Sequence, residues 1–112
     1  MSETSSPIRP LDGIRVIELG QLLAGPFTGA LLGYFGAEVI KIEPPGRGDP
    51  IRGWREVQDG TSLWWHSLAR NKKSLTLDLK TDKGRAIAEQ LISKADVANR
   101  ARTNSIGFVS NR

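Results

Sequence analysis

The sequence predicts an α/β fold with a mostly parallel sheet, built from βαβ units. Three observations predict this fold: a largely apolar run at residues 14–19, a second strand-like segment at 37–43 with an apolar core, and a glycine-spaced apolar segment between them. Strands with so few polar residues are typical of parallel sheets, which are covered on both faces. Parallel strands need a crossover of about a dozen residues or more, and residues 20–36 supply it, so a right-handed βαβ unit is expected.

The first strand is predicted at residues 14–19, where only Arg15 and Glu18 interrupt the apolar run. Gly20 ends this strand, and the connecting turn leads into a helix at residues 25–35. The helix opens with Gly-Pro, and proline is favourable there because its missing N–H costs nothing in a first turn.

Glycine recurs at every fourth position of the predicted helix, so one face is formed by Gly25, Gly29 and Gly33. Each glycine costs roughly 1 kcal/mol relative to alanine in an exposed helix, so close packing against the sheet is expected to offset this cost. Gly36 suits the position that ends a helix. The second strand is then predicted at residues 37–43, with a core of Val39, Ile40 and Ile42.

Residues 44–55 are predicted to form a loop, because three prolines and three glycines prevent regular structure. This loop leaves the carboxyl end of the second strand, which is the edge where ligands bind in open α/β sheets. Its arginines are either phosphate contacts or solvated loop residues: Arg47, Arg52 and Arg55.

Residues 56–73 contain an aromatic pair, one histidine and a basic cluster. Trp64 and Trp65 are predicted to be core or interface residues, with ligand stacking as the alternative. His66 lacks a second histidine or a nearby carboxylate, so a structural role is favoured over acid–base catalysis. The basic cluster is Arg70, Lys72 and Lys73.

The remaining elements are a strand, a helix and a tail. Residues 74–79 alternate apolar and polar side chains, which predicts a half-buried strand, and residues 82–95 form an amphipathic helix with Thr81 as its N-cap. Asp96 and Val97 resemble the start of a further strand, but the pattern does not continue it, so residues 98–112 are predicted to be a divergent, disordered or weakly extended tail. Residues 1–9 are expected to be a flexible lead-in and 10–97 the folded domain.

Composition excludes several classes of function. The absence of cysteine rules out disulfides, thiolate metal sites and a cysteine nucleophile, and no metal site is predicted. No apolar run approaches the ~20 residues of a membrane span, and the first ten residues do not resemble a signal peptide, so a cytoplasmic location is expected. The net charge of +4 falls to 13 basic against 12 acidic residues outside 98–112, so no nucleic acid partner is expected.

Several ordered motifs resemble the N-terminal part of the class III CoA-transferases, which include formyl-CoA transferases, the carnitine CoA-transferase type and α-methylacyl-CoA racemases. These motifs are PLDGIRV, AGPF, GAEVIKIE, GxGD and RNKKSLTLDLK, within residues 10–97. The resemblance implies the incomplete N-terminal part of a Rossmann-like large domain, an interlocked homodimer, and coenzyme A bound over the turn after the first strand.

The resemblance also implies the residues that bind CoA. On the family's pattern, the turn contributes Gln21, Leu22, Leu23 and Ala24, and the end of LTLDLK contributes Leu77 and Lys80. Relatives often place an arginine after the second strand, but Pro44 and Pro45 stand there, so Arg47 or the cluster with Lys72 and Lys73 is expected to substitute.

The implied activity is transfer of CoA from an acyl-CoA to a carboxylic acid. The family's catalytic aspartate, which forms acyl anhydride and thioester intermediates as a nucleophile, would lie beyond Arg112, and relatives' LIENFRPG-like segment is replaced by residues 98–101. No catalytic residue is therefore assigned, and this chain alone is expected to be inactive. The alternatives are a truncated or frame-shifted, non-catalytic CoA-binding remnant, an acyl-CoA racemase relative, and an NAD-type dinucleotide binder in which Glu43 meets a ribose.

Overall fold

The computed structural model describes residues 8–102 and 105–110. Seven strands lie in them: β1 (Arg15–Glu18), β2 (Glu38–Glu43), β3 (Val57–Gln58), β4 (Thr61–Ser62), β5 (Lys72–Thr76), β6 (Val97–Arg102) and β7 (Ser105–Ser110). The α-helices are α1 (Ala24–Tyr34), α2 (Leu63–Leu68) and α3 (Asp82–Ser93), with a 3₁₀ turn at Pro50–Gly53.

The main sheet has the strand order β5-β2-β1-β6-β7. β5, β2, β1 and β6 are parallel, and β7 pairs antiparallel with β6. The predicted α/β fold with a mostly parallel sheet is therefore confirmed. β1 lies at the centre, where Val16 pairs with Val39 of β2 on one side and with Val97 of β6 on the other.

The two long helices cover opposite faces of the sheet. On one face, Val16 and Val39 are fully buried beside Leu32 of α1. On the other face, Ile17 and Ile42 pack against Ala88 of α3. Alternate residues of β1 and β2 thus enter two separate apolar layers, which explains why the apolar residues of these strands stand next to each other, as in Val16-Ile17 and Val39-Ile40.

The glycines of α1 face the sheet as predicted. Gly25, Gly29 and Gly33 are buried, and a Cβ on Gly25 would come within 2.7 Å of Gly20 Cα. A Cβ on Gly29 would overlap Glu18 Oε1. The missing side chains let α1 approach β1 closely enough to enclose a carboxylate, and Gly36 follows the helix with φ +110°.

α3 also begins as predicted. The Thr81 hydroxyl accepts a hydrogen bond from the Gly84 N–H at 3.0 Å, and Asp82 lies in the first turn. This side chain satisfies one of the N–H groups that a helix start leaves without a partner.

The strand predicted at residues 74–79 is shifted towards the N-terminus. β5 runs from Lys72 to Thr76, and Leu79 lies in the following turn. The backbone at Lys72 and Lys73 pairs with β2, and the buried Lys72 side chain forms an ion pair with Glu18. Hydrophobic alternation does not detect a strand that begins with lysine.

The tail, predicted to be disordered or weakly extended, is extended and paired in the described backbone. β6 continues from Val97 to Arg102 and pairs with β1, and β7 pairs along β6. Backbone hydrogen bonds to the central strand complete β6 although its side chains lack an apolar pattern. Residues 1–7 of the predicted lead-in at 1–9 lie outside the described residues.

Replacing Asn99 with valine is expected to raise the free energy of unfolding by about 1 kcal/mol. Asn99 is fully buried; its Nδ2 donates to Gly25 O at 3.3 Å, but its Oδ1 accepts no hydrogen bond among the described residues. Valine removes this unsatisfied oxygen and suits a strand. Urea denaturation of Asn99→Val measures the change, with Thr76→Val on exposed β5 as the control. Lower stability of Asn99→Val would contradict the prediction.

Candidate functional site

A crevice is defined by the connectivity of the sheet. From β1 the chain crosses through α1 to β2 on one side, and from β5 it crosses through α3 to β6 on the other side of β1. The order β5-β2-β1-β6 therefore reverses direction between β1 and β6. In open α/β sheets this reversal, at the carboxyl ends of the strands, is where ligands bind.

The turn from β1 into α1 lies at this crevice. Gln21 is exposed, Leu23 is 37% exposed, and Leu22 adopts a left-handed backbone with φ +69°. Ala24 is the first residue of α1, which has no side-chain N-cap and no acidic residue in its first turn. The positive end of the helix dipole is therefore left for an anionic group.

A hollow of about 500 Å³ adjoins the turn on the α3 face. Its lining joins the end of β1 to the turn after β5 and to β6: Leu19, Leu79, Arg85, Ala88, Glu89, Ile92 and Arg100. Its size is within the range of ligand sites. Arg85 also donates to the carbonyl oxygens of Leu79 and Lys80, each at 3.2 Å, and so holds the turn that carries Lys80.

On the α1 face of the sheet, a cluster of buried ion pairs lies next to the carboxyl edge. Lys41 Nζ lies 2.7 Å from Glu18 Oε2 and 2.6 Å from Asp49 Oδ2, and all three side chains are at most 2% exposed. Lys72 Nζ lies 2.7 Å from Glu18 Oε1 and also donates to Pro26 O at 2.7 Å. Burial lowers the pKa of Lys72, and the Glu18 carboxylate opposes this shift. Buried charges in such a cluster require complete pairing.

Glu43 forms a second buried centre at the end of β2. Its carboxylate accepts two hydrogen bonds of 2.7 Å from Arg52, one of 2.9 Å from the Asp49 N–H, and one from the Ser74 hydroxyl. Its oxygens are therefore engaged by protein groups. This arrangement argues against the alternative in which Glu43 meets the ribose of a dinucleotide.

Glu43 is expected to make stability fall as the pH drops from 4.5 towards 2. Burial raises its pKa, but the hydrogen bonds from Arg52, Asp49 and Ser74 outweigh burial and lower the pKa of Glu43 to about 2. The unfolded state then takes up a proton first, so this contribution is complete above pH 4.5 and is lost towards pH 2. Denaturation between pH 2 and 6 should show a shallower loss for Glu43→Gln, whereas exposed Glu56→Gln retains the wild-type slope. An unchanged slope in Glu43→Gln would count against this role.

The other predicted site residues lie in different places. Leu77 is half-buried, directly after β5, and Lys80 is exposed in the next turn. Arg47 is exposed and lines a small hollow of about 150 Å³ at the ends of β2 and β5. Lys73 reaches Glu38 at 3.3 Å, at the start of β2 and hence at the opposite edge. With Lys72 held inside the sheet, neither lysine faces the crevice.

The arginines and aromatic residues of the loop pack on each other. The Arg52 guanidinium lies 3.8 Å from the centre of the Trp65 ring, and that of Arg55 lies 4.3 Å from Trp54. Trp64 is 41% exposed and its ring centre is 5.5 Å from that of Trp54. Arg52 and Arg55 thus have protein partners.

Residues 8–100 contain neither a cluster of metal-ligating side chains nor a membrane-spanning helix. No group of three or more His, Asp or Glu side chains there is arranged to hold a metal ion. None of the described helices has the length and apolar character needed to cross a membrane.

The profile of CoA-transferase family III matches residues 11–105. The chain belongs to CoA-transferase family III. The succinyl-CoA–D-citramalate CoA-transferase of Chloroflexus aurantiacus is 59% identical over 92 residues, which cover 81% of this chain and 23% of that protein. The human succinyl-CoA:glutarate CoA-transferase is 45% identical over 91 residues, covering 80% and 21%.

A solved structure shows the same fold. A CAIB/BAIF family protein from Brucella suis matches with a TM-score of 0.75 and 38% identity, covering 84% of this chain and 26% of that one. This family III chain thus spans about a quarter of the length of the relatives it matches. The family match also crosses the predicted domain boundary at residue 97 and includes β6.

Sequence reasoning missed the buried ionic cluster and the two arginines of the hollow on the α3 face. Glu18 and Lys41 gave a signal, since each is a charged residue within a strand predicted to be covered on both faces. Asp49 gave little signal, because a loop aspartate is normally exposed. Arg85 and Arg100 lie on elements whose spatial proximity depends on the crossover from β5 to β6.

Proposed function

We propose that this chain forms a coenzyme A-binding part of a CoA-transferase, which moves CoA from an acyl-CoA donor to a carboxylic acid. The observation that carries the proposal is the family match across residues 11–105. The curated relatives named above are each described as a CoA-transferase that uses succinyl-CoA. Acyl-CoA and a carboxylic acid are accordingly the proposed substrates, with CoA as the bound group.

The geometry of the carboxyl edge supports this assignment. CoA carries phosphate groups and a long, partly apolar arm. The uncapped start of α1 suits an anion, and the adjoining hollow combines Leu19 and Leu79 with the cations of Arg85 and Arg100. We propose that Gln21–Ala24, Leu77 and Lys80 contact CoA here, with Arg47 further along the same edge.

The proposal predicts direct binding that titration can measure. Isothermal titration calorimetry of the purified chain should give saturable binding of CoA and a weaker response to NADH. Tight NADH binding without a CoA response would favour a dinucleotide binder instead. Absence of binding by either compound would overturn the CoA assignment.

Replacing Lys80 with glutamate is expected to weaken CoA binding about fivefold, because an exposed cation beside phosphate becomes an anion. Lys94→Glu is the matched control, since Lys94 lies at the other end of α3 and lines a hollow at the amino edge of the sheet. Equal dissociation constants for CoA in both variants would show that Lys80 does not contact CoA.

Acyl transfer is proposed to require a carboxylate nucleophile that is not among the described residues. Incubation of this chain with succinyl-CoA and a panel of carboxylic acids is therefore expected to give no thioester exchange. Binding without exchange fits a non-catalytic CoA-binding chain, whereas exchange would place a nucleophile within these 112 residues.

Homodimer formation remains a prediction. The outer face of α1 supports it, because Phe27 is 54%, Leu31 46% and Tyr34 76% exposed. Light scattering after size-exclusion chromatography would show a mass twice that of the chain if this surface is covered by a second copy.

A further inference from the structure

The turn between β1 and α1 has an unfavourable backbone that another segment holds in place. Leu22 has φ +69°, a conformation that leucine rarely adopts. Its N–H donates a 3.0 Å hydrogen bond to Asp49 Oδ1, although Asp49 lies 27 residues further along the chain. A long-range contact thus compensates for the local cost of this turn.

Both oxygens of the Asp49 carboxylate are held by protein groups. It is 1% exposed, and Oδ1 also accepts the Ile51 N–H at 2.9 Å. Oδ2 lies 2.6 Å from Lys41 Nζ, and the same ammonium lies 2.7 Å from Glu18 Oε2 and 3.4 Å from Gly20 O. Lys41 therefore connects Asp49 to the last residue of β1 and to Gly20, the residue before the turn.

We propose that Asp49 is a positioning residue for the CoA site: it holds the Gln21–Ala24 turn in its binding conformation through the Leu22 N–H, with its own orientation set by Lys41. This inference rests on the proposed function. The charge of Asp49 matters as well as its shape. The amide of an asparagine here would either place its NH₂ group against the Lys41 ammonium or turn its oxygen away from the Leu22 N–H.

The test compares Asp49→Asn with Asp12→Asn. Asp12 also accepts a backbone N–H, from Arg9 at 2.8 Å, but it is exposed at the amino edge. Amide exchange of Leu22 is followed by NMR, with the Val39 amide in buried β2 as the reference for global opening. Calorimetry gives the dissociation constant for CoA.

In Asp49→Asn, we expect the Leu22 amide to exchange about tenfold faster while Val39 is unchanged, and CoA binding to weaken about tenfold. Asp12→Asn should change neither quantity. If Leu22 and Val39 accelerate equally, Asp49 has only a general structural role and the inference fails. It also fails if Leu22 is affected but CoA affinity is not.

A variant that does not fold and a wild-type chain that binds no CoA lead to separate conclusions. If Asp49→Asn does not fold, Asp49→Glu replaces it: the charge beside Lys41 is kept, but the longer side chain displaces the oxygens from Leu22, so the same changes are expected. If the wild-type chain binds no CoA, the proposed function fails. In that case unchanged Leu22 exchange in the variant also overturns the contact from Asp49 to the turn, whereas faster exchange supports it.

Discussion

Replacing Lys41 with methionine is expected to lower the free energy of unfolding by about 3–5 kcal/mol. Lys41 is 1% exposed, and its ammonium is the cation paired with the Asp49 carboxylate. Glu18 keeps Lys72 as a partner, but Asp49 would remain buried after losing the ion pair with Lys41. Since a domain is stable by only about 5–15 kcal/mol, this single change removes a large share of the total.

Urea denaturation followed by tryptophan fluorescence measures the loss. Lys80→Met is the matched control, because Lys80 is exposed and its side chain is outside the cluster. Adding Asp49→Asn to Lys41→Met should recover part of the stability, since the buried charge is then removed. A double variant no more stable than Lys41→Met would show that the unpaired carboxylate is not the cause.

Replacing Gly84 with alanine is expected to destabilise the fold by about 2–3 kcal/mol. A Cβ here would overlap the Asp78 carbonyl oxygen and lie 2.7 Å from its carbonyl carbon, so backbone has to move. Alanine gains about 1 kcal/mol over glycine from helix propensity, but the clash with backbone is larger. The start of α3 and the turn that carries Lys80 would be pushed apart.

Gly53→Ala provides the control, because a Cβ at Gly53 meets no atom within 4 Å. Its free energy of unfolding should stay within about 0.5 kcal/mol of wild type. Gly84→Ala is also expected to weaken CoA binding, since it displaces Lys80. A stability gain in Gly84→Ala would mean that the turn adapts at little cost.

The parts of the fold with strong periodicity were predictable from the sequence. β1, α1, β2 and α3 have apolar patterns, spaced glycines or an N-cap that local chemistry explains. The start of β5 and the course of β6 were not predictable in this way, because pairing with strands far along the chain decides them. The residue types of Lys72 and Asn99 do not by themselves indicate burial.

The candidate site was predictable in outline only. The turn after β1 and its place at the sheet edge follow from the βαβ pattern and the strand order. Asp49 and Lys41 could not be assigned, because a charged residue is normally exposed and its burial depends on a partner remote in sequence. Lys73 illustrates the same limit. The family's pattern makes it a candidate for the CoA site, but β5 directs its side chain to Glu38 at the opposite edge of the sheet.

The pairing of β1 with β6 also bears on the order in which the chain folds. β1 ends at Glu18, whereas its partner β6 begins at Val97, so the central strand keeps one open edge while the residues between them are synthesised. At about 5–20 residues per second, this interval is roughly 4–16 s. Closing so long a loop makes this pairing a slow event with a high contact order. During synthesis, this open edge of β1 is therefore exposed to association with other chains.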